Sequence, residues 1–399
     1  MKIDDKWIGY CTNVHAGSNL EITRQNLQRH ALQVKKNCAP ESAMGIGLWL
    51  SDQAAIDMIS RDQVGPFRDW LAENGLLPFT FNGFPYGDFH QDEVKKLVYL
   101  PTWAEHSRRE YSERLAQIQH ELLPAGMEGS ISTLPLGWKD ENADDEFLDQ
   151  CADQLIELAE FLADLEEKSG RLIYYCIEPE PGCVMQTSQS CVDFFQQRLL
   201  GKSSAKDEIV KRYLRVCHDI CHSAVMFEDQ HAFIRNITSS GIRIGKVQVS
   251  SAVHAVFNDG DGEQNQGVLR DLGQFSEPRY MHQTVLKKRD GEIRFHNDLP
   301  QAMEELNRDV GSFAEARVHF HVPIFLAEFG ALKTSQTEIL QCLEATQSIP
   351  ELIHYEAETY AWNVLPEELQ KAELADGISD ELQWLAGRGS PLPDGKVTK

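Results

Sequence analysis

Along this chain of 399 residues, apolar runs end again and again in carboxylates and imidazoles. YCTNVH closes on His15 and NGFPYGDFH on His90. CIEPEPGC carries Glu178 and Glu180, and VCHDICH carries Asp219 and His222. QVSSAVH opens on Gln248 and closes on His254, FHVPIF holds His321, and EAETY holds Glu356 and Glu358. Oxygen and nitrogen donors delivered to the same end of successive buried strands suit a divalent metal with mixed ligands. Mn²⁺ or Mg²⁺ fits such a set better than an ion that prefers thiolates.

Glu178 follows the apolar run from Leu172 to Ile177, so a charge arrives at the end of a buried strand. An ionised carboxylate there needs a cation, a metal or a raised pKa. Pro179 and Pro181 bar a helix and hold the turn extended, which fixes where Glu178 points. Glu180 reads as an ordinary loop acid. In HDICH, Asp219 sits at a strand end and His222 on the first turn beyond it, so both reach one site. Asp219 is then a ligand, and His222 donates to substrate or from just outside the ligand sphere. The same aspartate also suits the N-cap of the following helix.

His218 faces the other side of that strand and reads as structural. Alternation puts Glu356, Glu358 and Tyr360 on one face, and the last carboxylate reaches the rim, so Glu358 is chosen and Glu356 held in reserve. Gln248 offers an amide oxygen, which a hard metal accepts weakly. His282 of RYMHQT, His254 and His321 are candidates to complete a ligand sphere or bind substrate, as are His15 and His90. Any one of them alone is more often a satisfied structural histidine. Trp103 and Trp138 are expected to supply apolar walls.

Positioning these groups falls to strand-like runs at 7–14, 45–51, 77–83, 131–137, 171–178, 213–219, 246–252, 317–325 and 352–360. Most are continuously apolar or β-branched, as strands buried on both faces must be. Helical patterns lie between them at 20–37, 104–123, 145–168, 188–200, 224–239 and 337–347. Strand then helix, repeated about eight times, predicts a parallel sheet, and without a GxGxxG after the first strand a (β/α)₈ TIM barrel fits best. Nine strand candidates exceed the eight required. The surplus falls near a polar insertion at 255–316 containing NDGDGEQNQG, expected to be a long loop or small cap before the last strands. A single domain over 1–399 is expected, with a flexible tail from about 388 to 399.

The formal charge of −24 repels a phosphate backbone or an anionic membrane, so nucleic acid is not an expected partner. MKIDDKWIGYCTNVH has aspartates where a signal peptide needs its apolar core, and no apolar run approaches the ~20 residues of a membrane span. Nine scattered cysteines without a CxxC pair suit reduced thiols and a cytoplasmic location.

The chain resembles the xylose isomerase-like barrel superfamily of sugar isomerases, ketose epimerases, inosose dehydratases and endonuclease IV. Within it, the chain is similar to the EboE-type metabolite-traffic proteins. YCTNVH, NGFPYGDFH with VYLPTW, EPEPGC, DICH, KVQVSSAV, RYMHQT, FHVPIF and ETY-W-VLP carry the resemblance from residue 10 to about 366. It implies metal ligands at Glu178, Asp219 and Glu358, with the two glutamates as an acid/base pair and His222 on the substrate. Gln248 departs from the pattern, standing where the superfamily usually has a metal-ligating histidine. The third ligand is then Gln248 itself, or shifts to His282 or His321. The trinuclear zinc site of endonuclease IV needs more histidines than match.

The expectation is a divalent-metal enzyme (Mn, Mg or Zn) that isomerises or epimerises a small polyhydroxylated metabolite, a sugar or cyclitol. The alternatives are a metal-dependent hydrolase of a small phosphate or ester, and a non-catalytic metabolite carrier.

Overall fold

The computed structural model describes residues 1–3, 5–88, 90, 94–140, 143–260 and 262–388. From residue 389 on, the expected tail lies outside the described residues. Strands β1 (Lys6–Cys11), β2 (Met44–Trp49), β3 (Leu76–Asn82), β4 (Gly129–Thr133), β5 (Ile173–Ile177), β6 (Leu214–Asp219), β7 (Ile244–Val249) and β8 (His354–Ala357) form one parallel sheet. Each pairs with the next, and β8 returns to β1 in the register Ala357↔Tyr10, so the sheet closes into a (β/α)₈ barrel. Strands β2 to β8 are buried along their whole length, which is why they read as apolar runs without alternation.

Helices cross between strands with one apolar stripe inward. The longest, Asp145–Ser169, buries Cys151, Leu155, Leu158 and Leu162 against the barrel. Asp144 caps its start by accepting from the Phe147 N–H at 2.9 Å, and Gly170 ends it at φ 70°, a conformation glycine adopts without a Cβ clash. Truncating Leu155 to alanine would cost roughly 2–5 kcal/mol.

The strand expected at 317–325 is not part of the barrel. Phe313–Val318 instead belongs to a separate six-stranded sheet with Val253–Val256, Thr284–Lys288, Ile293–His296, Glu328–Phe329 and Leu332–Thr334. Its pairings are antiparallel, and its strands are only partly buried. The insertion therefore runs wider than 255–316, from 253 to 334, and carries two helices, Gly262–Gly273 and Leu299–Asp309. It leaves the barrel after β7 and folds back over the strand ends: the Val322 N–H reaches Ser251 O at 2.9 Å and His321 Nδ1 reaches Glu358 O at 2.7 Å. No helix among the described residues is long and apolar enough to cross a membrane. All nine cysteines are free thiols.

Candidate metal and proton-transfer site

Three strand ends converge. Glu178 is the first residue past β5, its N–H donating to Thr133 O at 3.0 Å, and Glu358 follows β8 with its N–H on Val249 O at 3.1 Å. Asp219 is the last residue of β6. Because parallel ladders keep these ends level, Glu178, Asp219 and Glu358 each offer an oxygen within 4.8 Å of the others. They are 3 %, 2 % and 5 % exposed. Gln248, wholly buried on β7, places its amide nitrogen among them, donating to Glu178 Oε1 at 2.9 Å, Asp219 Oδ2 at 3.2 Å and Glu358 Oε2.

The carboxylates are held differently. Glu358 Oε1 accepts from Asn13 Nδ2 at 2.7 Å and Asn82 Nδ2 at 3.1 Å. Asp219 Oδ1 accepts from Ser250 Oγ at 2.7 Å and from the His222 N–H at 3.0 Å, so it caps the next helix as well as facing the site. Glu178 Oε2 is buried with no partner. Burial, then the neighbouring charges of Glu358 and Asp219, push the Glu178 carboxyl well up; burial, then Asp219, does the same to Glu358. Burial also pushes Asp219 up, but His222, His321 and its two hydrogen bonds together outweigh this and hold it below the usual aspartate range.

Above the carboxylates lies a cavity of about 70 Å³, whose wall includes His222, His319, His321 and the aromatic rings of Tyr99, Tyr280 and Tyr360. His222 Nδ1 contacts Pro179 O at 3.0 Å and His321 Nδ1 contacts Glu358 O at 2.7 Å. Both oxygens are carbonyls, so each Nδ1 carries the hydrogen. His321 Nε2 is buried without a partner at the cavity wall. Burial holds His321 down at about 4 and His319 well below the ordinary histidine value.

The other expected residues fall elsewhere. His254 is on the inserted sheet, paired with Glu315 at 2.9 Å. His282 spends both nitrogens, on His319 O at 3.1 Å and Glu277 Oε1 at 2.8 Å. His15 binds Tyr10 Oη at 3.0 Å and stacks on His30, and the His90 ring lies 6.1 Å from that of Trp49. None of the four lines the cavity. The apolar wall comes from Phe84, Val94, Val98 and Met281 rather than from Trp103 and Trp138.

No protein-family model matches the chain, and no curated protein sequence does. The likeness is one of structure. Over 98 % of both chains it matches a xylose isomerase-like TIM barrel protein from Mycobacterium smegmatis, solved in complex with magnesium, at TM-score 0.53 and 9 % identity. The fold is that of a xylose isomerase-like TIM barrel. Looser likenesses are an IolI protein with a bound zinc (TM-score 0.47, 11 % identity, 95 % and 97 % of the two chains) and an L-ribulose 3-epimerase (0.40, 13 %, 68 % and 79 %). None of these separates the EboE-type proteins from other xylose isomerase-like barrels.

Several residues of this barrel escape a strand-by-strand reading. Asn13 and Asn82 are strand-end polars, legible by the same logic as the acids. His319 stands two residues before His321, the spacing that shares a face. Glu180 is not a loop acid at the surface: it is 5 % exposed, accepting from Tyr99 Oη at 2.7 Å and Gln283 Nε2 at 3.1 Å, and it lines the cavity. Its pKa is raised, chiefly by burial. Glu356 stays inside the barrel, paired with Lys246.

Proposed function

We propose that this chain is a divalent-metal-dependent isomerase or epimerase of a sugar or cyclitol, moving a proton at carbon beside a carbonyl. One observation carries the reading: Glu178, Asp219 and Glu358 converge, buried, at the C-terminal end of the barrel strands. The residues fit a hard cation. Three carboxylates share one small volume, Glu178 Oε2 has no partner, and Gln248 adds an amide. Glu178, Asp219, Glu358 and Gln248 would hold the ion, and the magnesium in the Mycobacterium smegmatis barrel is in keeping with that set. When bound, it supplies Lewis-acid polarisation of the substrate oxygens and stabilises charge developing on them.

The chain's own groups do the proton work. Glu178, with an oxygen no hydrogen bond claims, removes the proton from carbon. Glu358, clamped through one oxygen by Asn13 and Asn82, returns it from the other side. Raised carboxyls let one of the pair be protonated while the other is a base. The open Nε2 of His321 receives a substrate hydroxyl, His222 lines the cavity beside it, and the tyrosines of the wall keep water off the reacting carbon.

A second reading, a non-catalytic carrier, is favoured by Gln248, whose amide N–H groups face the carboxylates of Glu178, Asp219 and Glu358. Elemental analysis after gentle purification separates the two. Incubation with ketoses and inososes in deuterated water then tests the chemistry. Deuterium entering beside the carbonyl, abolished by Glu178→Gln and by Glu358→Gln, is the expected result. Phosphate or ester cleavage instead would point to a hydrolase, and unchanged metal content and activity in both variants would sink this site.

A further inference from the structure

Gln248 has two faces in two environments. Its amide nitrogen meets three carboxylate oxygens, while its Oε1 accepts from the Cys217 thiol at 3.2 Å. An amide nitrogen carries two hydrogens, so three acceptors around it are one more than it can satisfy. The arrangement suits a site whose negative charge has only an amide dipole to face. A cation among those oxygens reverses the preference: the N–H groups would point at positive charge, and the oxygen is the face that binds.

We infer that Gln248 sets the class of cation, turning its amide so that Oε1 joins Glu178, Asp219 and Glu358 in an all-oxygen site for Mn²⁺ or Mg²⁺. This rests on the metal reading above. The turned amide is accommodated on its far side, since the Cys217 sulfur accepts weakly where its hydrogen had donated. Among the nearby imidazoles His222 is engaged at both nitrogens, with Nδ1 on Pro179 O and Nε2 against His319 Nε2 at 3.1 Å. His321, with Nδ1 on Glu358 O, keeps a free Nε2 and is the nitrogen donor the test must exclude. Four oxygens select hard ions, whereas an imidazole in the fourth place would favour zinc. The turn gives up the two hydrogen bonds that the amide can donate to the carboxylates.

The test uses the intact chain and Mn²⁺ as the probe. Pulsed electron paramagnetic resonance of the Mn²⁺-loaded wild type should show no directly bound nitrogen. Gln248→His should introduce that nitrogen and raise the zinc-over-manganese affinity ratio at least ~10-fold. Gln248→Met, similar in size but without a hard donor, should bind Mn²⁺ about tenfold more weakly, with circular dichroism confirming the fold. Bound nitrogen in the wild type, or Mn²⁺ held as tightly by Gln248→Met, overturns the inference and leaves the metal enzyme standing. A wild type that binds neither Mn²⁺, Mg²⁺ nor Zn²⁺ overturns both.

Discussion

The ammonium of Lys246 is paired with the carboxylate of Glu356 inside the barrel, where neither side chain is exposed at all. Lys246 and Glu356 each stand two residues before a site residue, Gln248 and Glu358, so alternation places the ion pair one layer beneath the candidate metal site. Burial pulls the Lys246 ammonium down, but Glu356 outweighs it and the pKa is raised. The layer below the carboxylates thus carries a fixed cation that is already matched.

Breaking this pair from one side leaves a bare charge in the core. Lys246→Met should cost about 3–5 kcal/mol in urea unfolding, while Lys246→Met with Glu356→Leu should recover most of it. A double variant no more stable than the single one would show that the pair does more than neutralise itself.

Gly47 on β2 makes room for Glu356. A Cβ there would sit 1.2 Å from Glu356 Oε1, a backbone-borne atom against a buried carboxylate. Gly47→Ala should therefore destabilise the fold by about 1–3 kcal/mol or more, as overpacking does, seen as a lowered melting midpoint. An unchanged midpoint would mean Glu356 has another place to go.

Asn13 orients Glu358 from the loop after β1. Asn13→Ala removes one of two amide donors to the same oxygen and should slow solvent-deuterium exchange into substrate by ~10–100-fold, from a charged hydrogen bond worth about 1.5–3 kcal/mol. A rate within twofold of wild type would remove Glu358 from the proton path.

The raised carboxyls also predict a pH trend for the metal-free chain. Glu178 and Glu358 keep their protons in the folded state above the reference value of 4.5, so between that value and their folded pKa values the folded state binds more protons. Stability should then fall as pH rises above about 4.5 toward their folded pKa values. Asp219 acts oppositely: held low, it contributes stability above 3.8 that is lost as pH falls through its folded value. Unfolding midpoints from pH 5 to 8, with and without Mg²⁺, check this. The slope should flatten with Mg²⁺ and in the Glu178→Gln, Glu358→Gln double variant; a slope that persists in both would place its origin elsewhere.

Much of the fold was legible locally because buried parallel strands need continuous apolar runs and their crossovers need amphipathic helices. That logic located all eight barrel strands within a few residues. It erred at 317–325, where RVHFHVPIF is as apolar as a barrel strand yet only Arg317 and Val318 lie in a strand, paired antiparallel with His254 and Val253, since pairing partners far apart in the chain leave no local mark. It also left His254, His282, His15 and His90 as equals of His321. A histidine's role depends on which way its element faces the barrel axis, and only His321 of the five lines the cavity.

The amino-acid sequence by itself determined the barrel's repeating unit and brought a carboxylate to three strand ends, because burial and alternation are written residue by residue. Tertiary structure alone decided that those three ends meet within 4.8 Å, that His319 and Glu180 join their cavity, and that Lys246 matches Glu356 below. These are contacts across 40 to more than 100 residues of chain, set by ring closure and by the fold-back of the insertion, and closure is a property of the whole sheet.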